Sequence, residues 1–260
     1  GTSGSYPRLL TVLGSSAFYE LGPLAERRLW VTDGTRTGTK AVRDETGSAI
    51  GVDTANGFSK RIANDRFLAI AGVSSTSRVE GLWAVWPDGS AHLAHRGEPN
   101  RAWSYFGLRA VGDQVFFVVE DPDYQCWLWK TDGTEDGTRL VTRTFYHWER
   151  AAATSTRYFF EGWSEGETQL WVSDGTAGGT RPLVTFGPWP HLAPYGLSAG
   201  ESRVYFIEHE GSNIHYLWVS DGTESGTHRL SAPDLRPADF WEIPGEWIGD
   251  TFVFVALHEG

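Results

Sequence analysis

The chain has 260 residues, with 33 acidic against 22 basic side chains, a formal net charge of -11, 13 Trp, 31 Gly and no Met. An acidic balance without a Lys/Arg cluster repels phosphate backbones, so no nucleic-acid partner is expected. No apolar run approaches the roughly 20 residues that a spanning helix needs, so no membrane insertion is expected either.

The start, Gly1-Thr-Ser-Gly-Ser5, carries no signal-peptide pattern and resembles a trimmed end. The lack of Met, even at position 1, reads as a chain processed or excised from something longer. The lone Cys126 has no partner for an internal disulfide, and its place between Gln125 and Trp127 reads as a packed strand residue.

Along the chain, Leu-Trp-x-x-Asp-Gly-Thr-x-x-Gly-Thr is written four times: Leu29 to Thr39, Leu128 to Thr138, Leu170 to Thr180 and Leu217 to Thr227. An eroded fifth copy runs from Leu82 to Ser90. The repeated Trp30, Trp83, Trp129, Trp171 and Trp218 lie 53, 46, 42 and 47 residues apart, a period typical of propeller blades. Short aromatic and β-branched runs bounded by Gly and Asp give each unit four expected strands, A to D, with little helical periodicity.

In unit one (about 7–44) these strands are Leu9 to Leu13, Ala17 to Leu21, Arg28 to Thr32 and Lys40 to Arg43. Unit two (58–96) has Lys60 to Ala63, Phe67 to Ala71, Leu82 to Trp86 and Ala91 to His95. Unit three (104–144) has Tyr105 to Val111, Gln114 to Glu120, Cys126 to Thr131 and Arg139 to Thr144. Units four (148–186) and five (195–232) repeat the pattern. A half-unit over 240–258, containing Gly245 to Gly249 and Thr251 to Ala256, matches an A–B pair without C and D. The expected fold is all-β: a single propeller domain over 1–260, of five to six four-stranded antiparallel blades, read as six with the last incomplete.

Adjacent strand residues point to opposite faces, so each Leu-Trp pair fills the spaces on both sides of strand C. In the Asp-Gly-Thr loop, Asp accepts hydrogen bonds from amides further along the turn and Gly supplies positive φ. A calcium-binding alternative for Asp33, Asp132, Asp174 and Asp221 is weakened by the intervening pairs, which run from Glu135-Asp136 to Arg36-Thr37. The loops read as turn architecture, and no cofactor or metal is assigned.

These copies resemble the ELWxxDGT repeats of secreted and surface proteins of bacteria, and in turn logic the Asp-box hairpins of sialidase-type propellers. The resemblance spans essentially the whole chain. The leading Glu is replaced by Arg28, Gly81, Trp127, Gln169 and Tyr216, and unit two has Trp86-Pro-Asp-Gly89 in place of the longer loop. The resemblance implies a propeller in a secreted or cell-surface setting and no single activity.

The strand order puts the regular Asp-Gly-Thr loops on one side and the irregular D–A and B–C connections on the other, where propeller ligands commonly bind. The D–A connections hold Trp103 and Tyr105, then Tyr146-His-Trp-Glu-Arg150, Trp189-Pro-His191 and Phe240-Trp-Glu242. Aromatic plates beside carboxylates and imidazoles suit a sugar, whose C–H face stacks while its hydroxyls find donors and acceptors. The expected ligand-binding residues are Trp103, Tyr105, Trp148, Glu149, Arg150, Trp189, His191, Trp241 and Glu242, for a glycan or other small polar ligand. Two rivals stand beside this reading. His147, Glu149, His191, Asp239 and Glu242 could form a metal or acid–base centre, and the same aromatic face could meet a protein partner; no catalytic residue is assigned.

Overall fold

A computed structural model describes residues 7–23, 27–52, 60–97, 104–121, 123–144, 150–188, 192–210, 214–230, 235–237, 245–248, 251–254 and 256–258. Every regular element among them is a β-strand. Unit one contributes β1 (Arg8–Leu13), β2 (Ser16–Leu21), β3 (Arg28–Thr32) and β4 (Lys40–Ala41), followed by β5 (Ile50–Val52). Unit two supplies β6 (Arg61–Ala63), β7 (Leu68–Ser74), β8 (Glu80–Val85) and β9 (Ala91–Arg96). Unit three forms β10 (Ser104–Val111), β11 (Gln114–Glu120), β12 (Cys126–Thr131) and β13 (Arg139–Thr144), and unit four β14 (Ala151–Ala153), β15 (Tyr158–Ser164), β16 (Glu167–Ser173) and β17 (Arg181–Pro188). Unit five forms β18 (Leu192–Ala199), β19 (Val204–Glu210), β20 (Ile214–Ser220) and β21 (His228–Arg229). The last unit has β22 (Leu235–Pro237), β23 (Gly245–Ile248), β24 (Thr251–Phe254) and β25 (Ala256–His258).

Units three, four and five are separate four-stranded antiparallel sheets in strand order, as the repeat predicts. Strand B of unit three, Val115-Phe-Phe-Val-Val119, is buried along its whole length. Its continuous apolar run, without alternation, reflects cover on both faces. The five buried clusters lie between successive units, and they obey one directional rule. Leu29, Leu82, Leu128, Leu170 and Leu217 each pack into the cluster shared with the following unit. Trp83, Trp129, Trp171 and Trp218 each pack into the cluster shared with the preceding one. Each Leu-Trp pair therefore links two junctions, because neighbouring strand positions project to opposite faces.

Units one and two depart from the expected arrangement of equal four-stranded blades: they merge into one nine-stranded sheet. The cause is β5, which lies between the expected bounds of units one and two. Along β7, β5 pairs in the register Ile50↔Ser74 and β6 in the register Arg61↔Ile70, so strand A of unit two is split into two pieces on one edge. Arg28 of β3 pairs with Gly51, which joins the two units. The last unit repeats the device, with β22 (Leu235↔His258) and β23 (Gly245↔Phe254) pairing with the successive strands β25 and β24.

The Asp-Gly-Thr loops are closed by a relay of hydroxyls. In unit three the Gly133 amide donates to Thr131 Oγ1 (2.9 Å), and Thr138 Oγ1 donates to the Thr134 carbonyl (2.6 Å). This leaves the Thr131 proton to bridge the 2.7 Å to Thr138 Oγ1. The Thr134 amide and hydroxyl both donate to Asp132 Oδ1 (2.9 and 2.7 Å), while the Gly137 amide donates to Thr134 Oγ1 at 2.8 Å. The same set surrounds Asp33, Asp174 and Asp221. The first Gly of each loop has φ between +85° and +94°. The second, as at Gly137, has no room for a Cβ, which would collide with the Asp132 carboxylate. Hydrogen bonds from Thr176 and Thr223, hydroxyl before amide, hold the Asp174 and Asp221 carboxyls below the usual value. Thr131→Val strands the buried Gly133 amide and removes a donor from Thr138, so it is expected to cost about 1–3 kcal/mol in urea unfolding.

His95 is a buried titratable group of the core. Its ring meets Trp129 edge-on at 4.7 Å, and its Nδ1 lies 3.2 Å from the Tyr105 hydroxyl. Burial lowers its pKa to about 4, below the ordinary 6.5. A depressed folded-state pKa means that its contribution is complete above pH 6.5 and is lost as pH falls toward 4. The loss is on the order of 3 kcal/mol. Unfolding midpoints measured from pH 7.5 to 4.5 should fall in this window, and His95→Leu should flatten the dependence.

Candidate functional site

An open cleft of about 420 Å3 runs beside β9 of unit two. The turn 44–48 forms one wall, Ser77 and Val79 of the β7–β8 connection another, and Thr134 with Glu135 of the unit-three Asp-Gly-Thr loop a third. Half-buried Trp86 contributes indole surface over buried Trp83, Glu45, Glu135 and Arg96 contribute charge, and His92 contributes an imidazole.

Local chemistry builds each wall. Asp44 Oδ1 accepts the Thr46 amide (2.9 Å), the Thr46 hydroxyl (2.6 Å) and the Ser48 amide (2.9 Å), while Oδ2 accepts Ser74 Oγ at 2.7 Å. Burial works to raise the Asp44 carboxyl, but these bonds together hold it below its ordinary value. Asp44 is therefore a structural acceptor that fixes the turn to strand β7. Next to it, Glu45 is exposed and lies 2.9 Å from His92 Nδ1. Trp86 packs on Phe67 (ring centroids 5.4 Å apart) and lies under the Arg66 guanidinium at 5.6 Å, which sets its plane. Trp83 donates its Nε1–H to the Gly72 carbonyl at 3.2 Å. The result is a rim of hydrogen-bonding groups of both signs around rigid aromatic edges.

Sequence reasoning missed this cleft because its walls come from three units. One signal was present: the 53-residue spacing between Trp30 and Trp83 is the longest of the four, and the surplus contains the turn 44–48.

Of the residues expected to bind ligand, Trp103, Trp148, Glu149, Trp189, His191, Trp241 and Glu242 lie outside the described residues, as do His147 and Asp239 of the rival acid–base set. Tyr105 requires a correction. Its ring is buried at the junction of units two and three, against His95 and Phe117, and does not offer a stacking surface to solvent. Strand A simply begins at Ser104, so Tyr105 falls inside the sheet. Arg150 is already engaged: it donates to the buried Glu161 at 3.1 Å and lies 3.7 Å over the Tyr195 ring of unit five. Burial raises the Glu161 pKa in spite of that guanidinium. On the irregular side, Tyr124 of the β11–β12 connection and Trp163 near the end of β15 are exposed aromatics. Among the described residues no group of three or more His, Cys, Asp and Glu is placed to hold a metal ion. No described helix is long and apolar enough to cross a membrane.

No family model matches the chain, and no curated protein does. Among solved structures it is similar to an uncharacterized protein from Listeria monocytogenes, at 10% identity and a TM-score of 0.52, over 88% of this chain and 67% of that one. It is also similar to oligopeptidase B from Leishmania major, at 13% identity and a TM-score of 0.53, over 88% and 34% of the two chains. A puromycin-hydrolyzing peptidase from Mycobacterium tuberculosis matches at 14% identity and a TM-score of 0.54, over 95% and 42%. The chain thus spans well under half the length of either peptidase. At these identities the likeness concerns the fold alone: an all-β architecture of antiparallel sheets whose structural neighbours include propeller-domain peptidases.

Arg150→Ala leaves the buried Glu161 without its cation. A loss of about 2–3 kcal/mol is expected in chemical unfolding, with Glu161→Gln in the same chain restoring part of it.

Proposed function

We propose that this chain is a propeller of the ELWxxDGT-repeat kind, secreted or held at the cell surface, that binds carbohydrate without transforming it. The observation that carries the reading is the cleft beside β9, where half-buried Trp86 stands among Glu45, Glu135, His92 and Arg96, with buried Trp83 beneath. Its 420 Å3 lies within the range of small-molecule sites. Mixed donors and acceptors around aromatic edges match a ring with one apolar face and many hydroxyls. The turn 44–48, between the expected units one and two, builds one wall of this cleft. Exposed Tyr124 and Trp163 support a second contact zone on the irregular side. Trp103, Trp148, Trp189 and Trp241, with Glu149, His191 and Glu242, belong to that zone in the proposal.

A glycan array run with and without chelator tests the reading. Binding that survives chelation is expected, and Glu45→Gln with Glu135→Gln should weaken it at least tenfold without lowering Tm. Loss in Trp148→Ala and Trp189→Ala instead would move the main site to the irregular side, loss on chelation would favour a metal centre, and absence of any glycan signal would sink the proposal.

A further inference from the structure

Among the described residues that line the cleft beside β9, Arg96 is the one arginine or lysine. Its side chain is exposed, and it makes no hydrogen bond or ion pair with any described residue. The neighbouring charges are already occupied. Both oxygens of Asp44 are taken by the turn 44–48 and by Ser74. Glu45 lies against His92, four residues before Arg96 on β9.

The reason Arg96 stays available lies in the residue opposite it. Strand pairing sets Gly81 across from Arg96 and, at the same place relative to the Leu-Trp step of unit three, Trp127 across from Arg143. There the Arg143 guanidinium lies over the Trp127 ring, 5.7 Å from its centre. Gly81 offers no ring, and a side chain at that position would collide with the His95 carbonyl. The guanidinium of unit two therefore keeps both its flat face and its donors for a group outside the chain. Five positions separate Gly81 from Trp86, about 16 Å at the rise of a strand. A ligand that reaches from Arg96 to Trp86 is thus longer than one sugar ring.

We infer that the ligand of this cleft is an acidic oligosaccharide, whose carboxylate docks on Arg96 while a sugar ring further along lies on Trp86. A guanidinium presents two parallel N–H donors that match the two oxygens of a carboxylate, and a neutral hydroxyl gains far less from that fork. Glu45 and the exposed Glu135 repel an acid group and accept hydroxyl protons instead. Because Glu45 sits at His92, the carboxylate is directed toward the Arg96 end and the sugar chain is held in one orientation. The inference rests on the carbohydrate reading of the cleft and adds the charge class of the sugar.

The probes are a tetramer of galacturonic acid and a lactose capped with sialic acid, each as free acid and as methyl ester, titrated by calorimetry into the intact 260-residue chain. The acid is expected to bind at least tenfold more tightly than its ester in at least one series. Preference in the first series marks a carboxylate within the sugar chain, and preference in the second marks one at its end. Arg96→Gln should bring acid and ester to parity, whereas Arg143→Gln, at the equivalent place outside the cleft, should leave the preference intact. Equal binding of acid and ester in both series overturns the inference and leaves the carbohydrate reading standing. A preference that persists in Arg96→Gln overturns it as well. Failure of all four probes while neutral glycans still bind does the same, and absence of any glycan binding removes both this inference and the reading beneath it.

Discussion

Every other feature of this molecule depends on the requirement that both faces of each sheet be covered. A sheet with one wet face shows alternation, whereas strand B of unit three is apolar at five successive positions and buried at all of them. The Leu-Trp step is the smallest text that satisfies two junctions at once, one side chain for each neighbour. Because Leu always turns forward and Trp backward, the units are stacked with a polarity. Among the described residues, Leu9 and Val12 of unit one and Ile248 and Val253 of the last unit are exposed apolar side chains.

The second constraint is local. Each Asp-Gly-Thr loop satisfies its own backbone through one carboxylate oxygen and a chain of hydroxyls, so it needs nothing from its surroundings. This self-sufficiency explains why the two residues in the middle of the loop vary freely between copies. Glu135 is one of these variable residues, and it projects into the cleft of the neighbouring unit. A turn whose scaffold is independent of its tip can offer that tip to a ligand.

Irregularity is concentrated where chain has been added to the repeat. The insertion after β4 folds into the turn 44–48, held by Asp44, and then into β5, which joins units one and two. A wall is thereby built beside β9. Tyr105 and Arg150 show the opposite outcome, since polar or aromatic residues at the entry to strand A serve the junctions. Tyr105 meets His95, and Arg150 links Glu161 of unit four to Tyr195 of unit five.

Much of the fold was legible in the residues because the information was local. Strands B, C and D of unit three lie between the same residues in sequence and structure, since short apolar runs and their turn signals act over a few positions. The positive φ of Gly133 and the acceptor role of Asp132 follow from the same short range. The role of Thr131, hidden in an unspecified position of the repeat, did not, because its partner lies seven residues away. Only the tertiary structure decided that strand A of the second and last units is split, that Tyr105 is buried, and that residues from three units meet beside β9. Each of these depends on segments far apart in the chain being brought together by sheet pairing, and a period counted along the sequence contains no such distances.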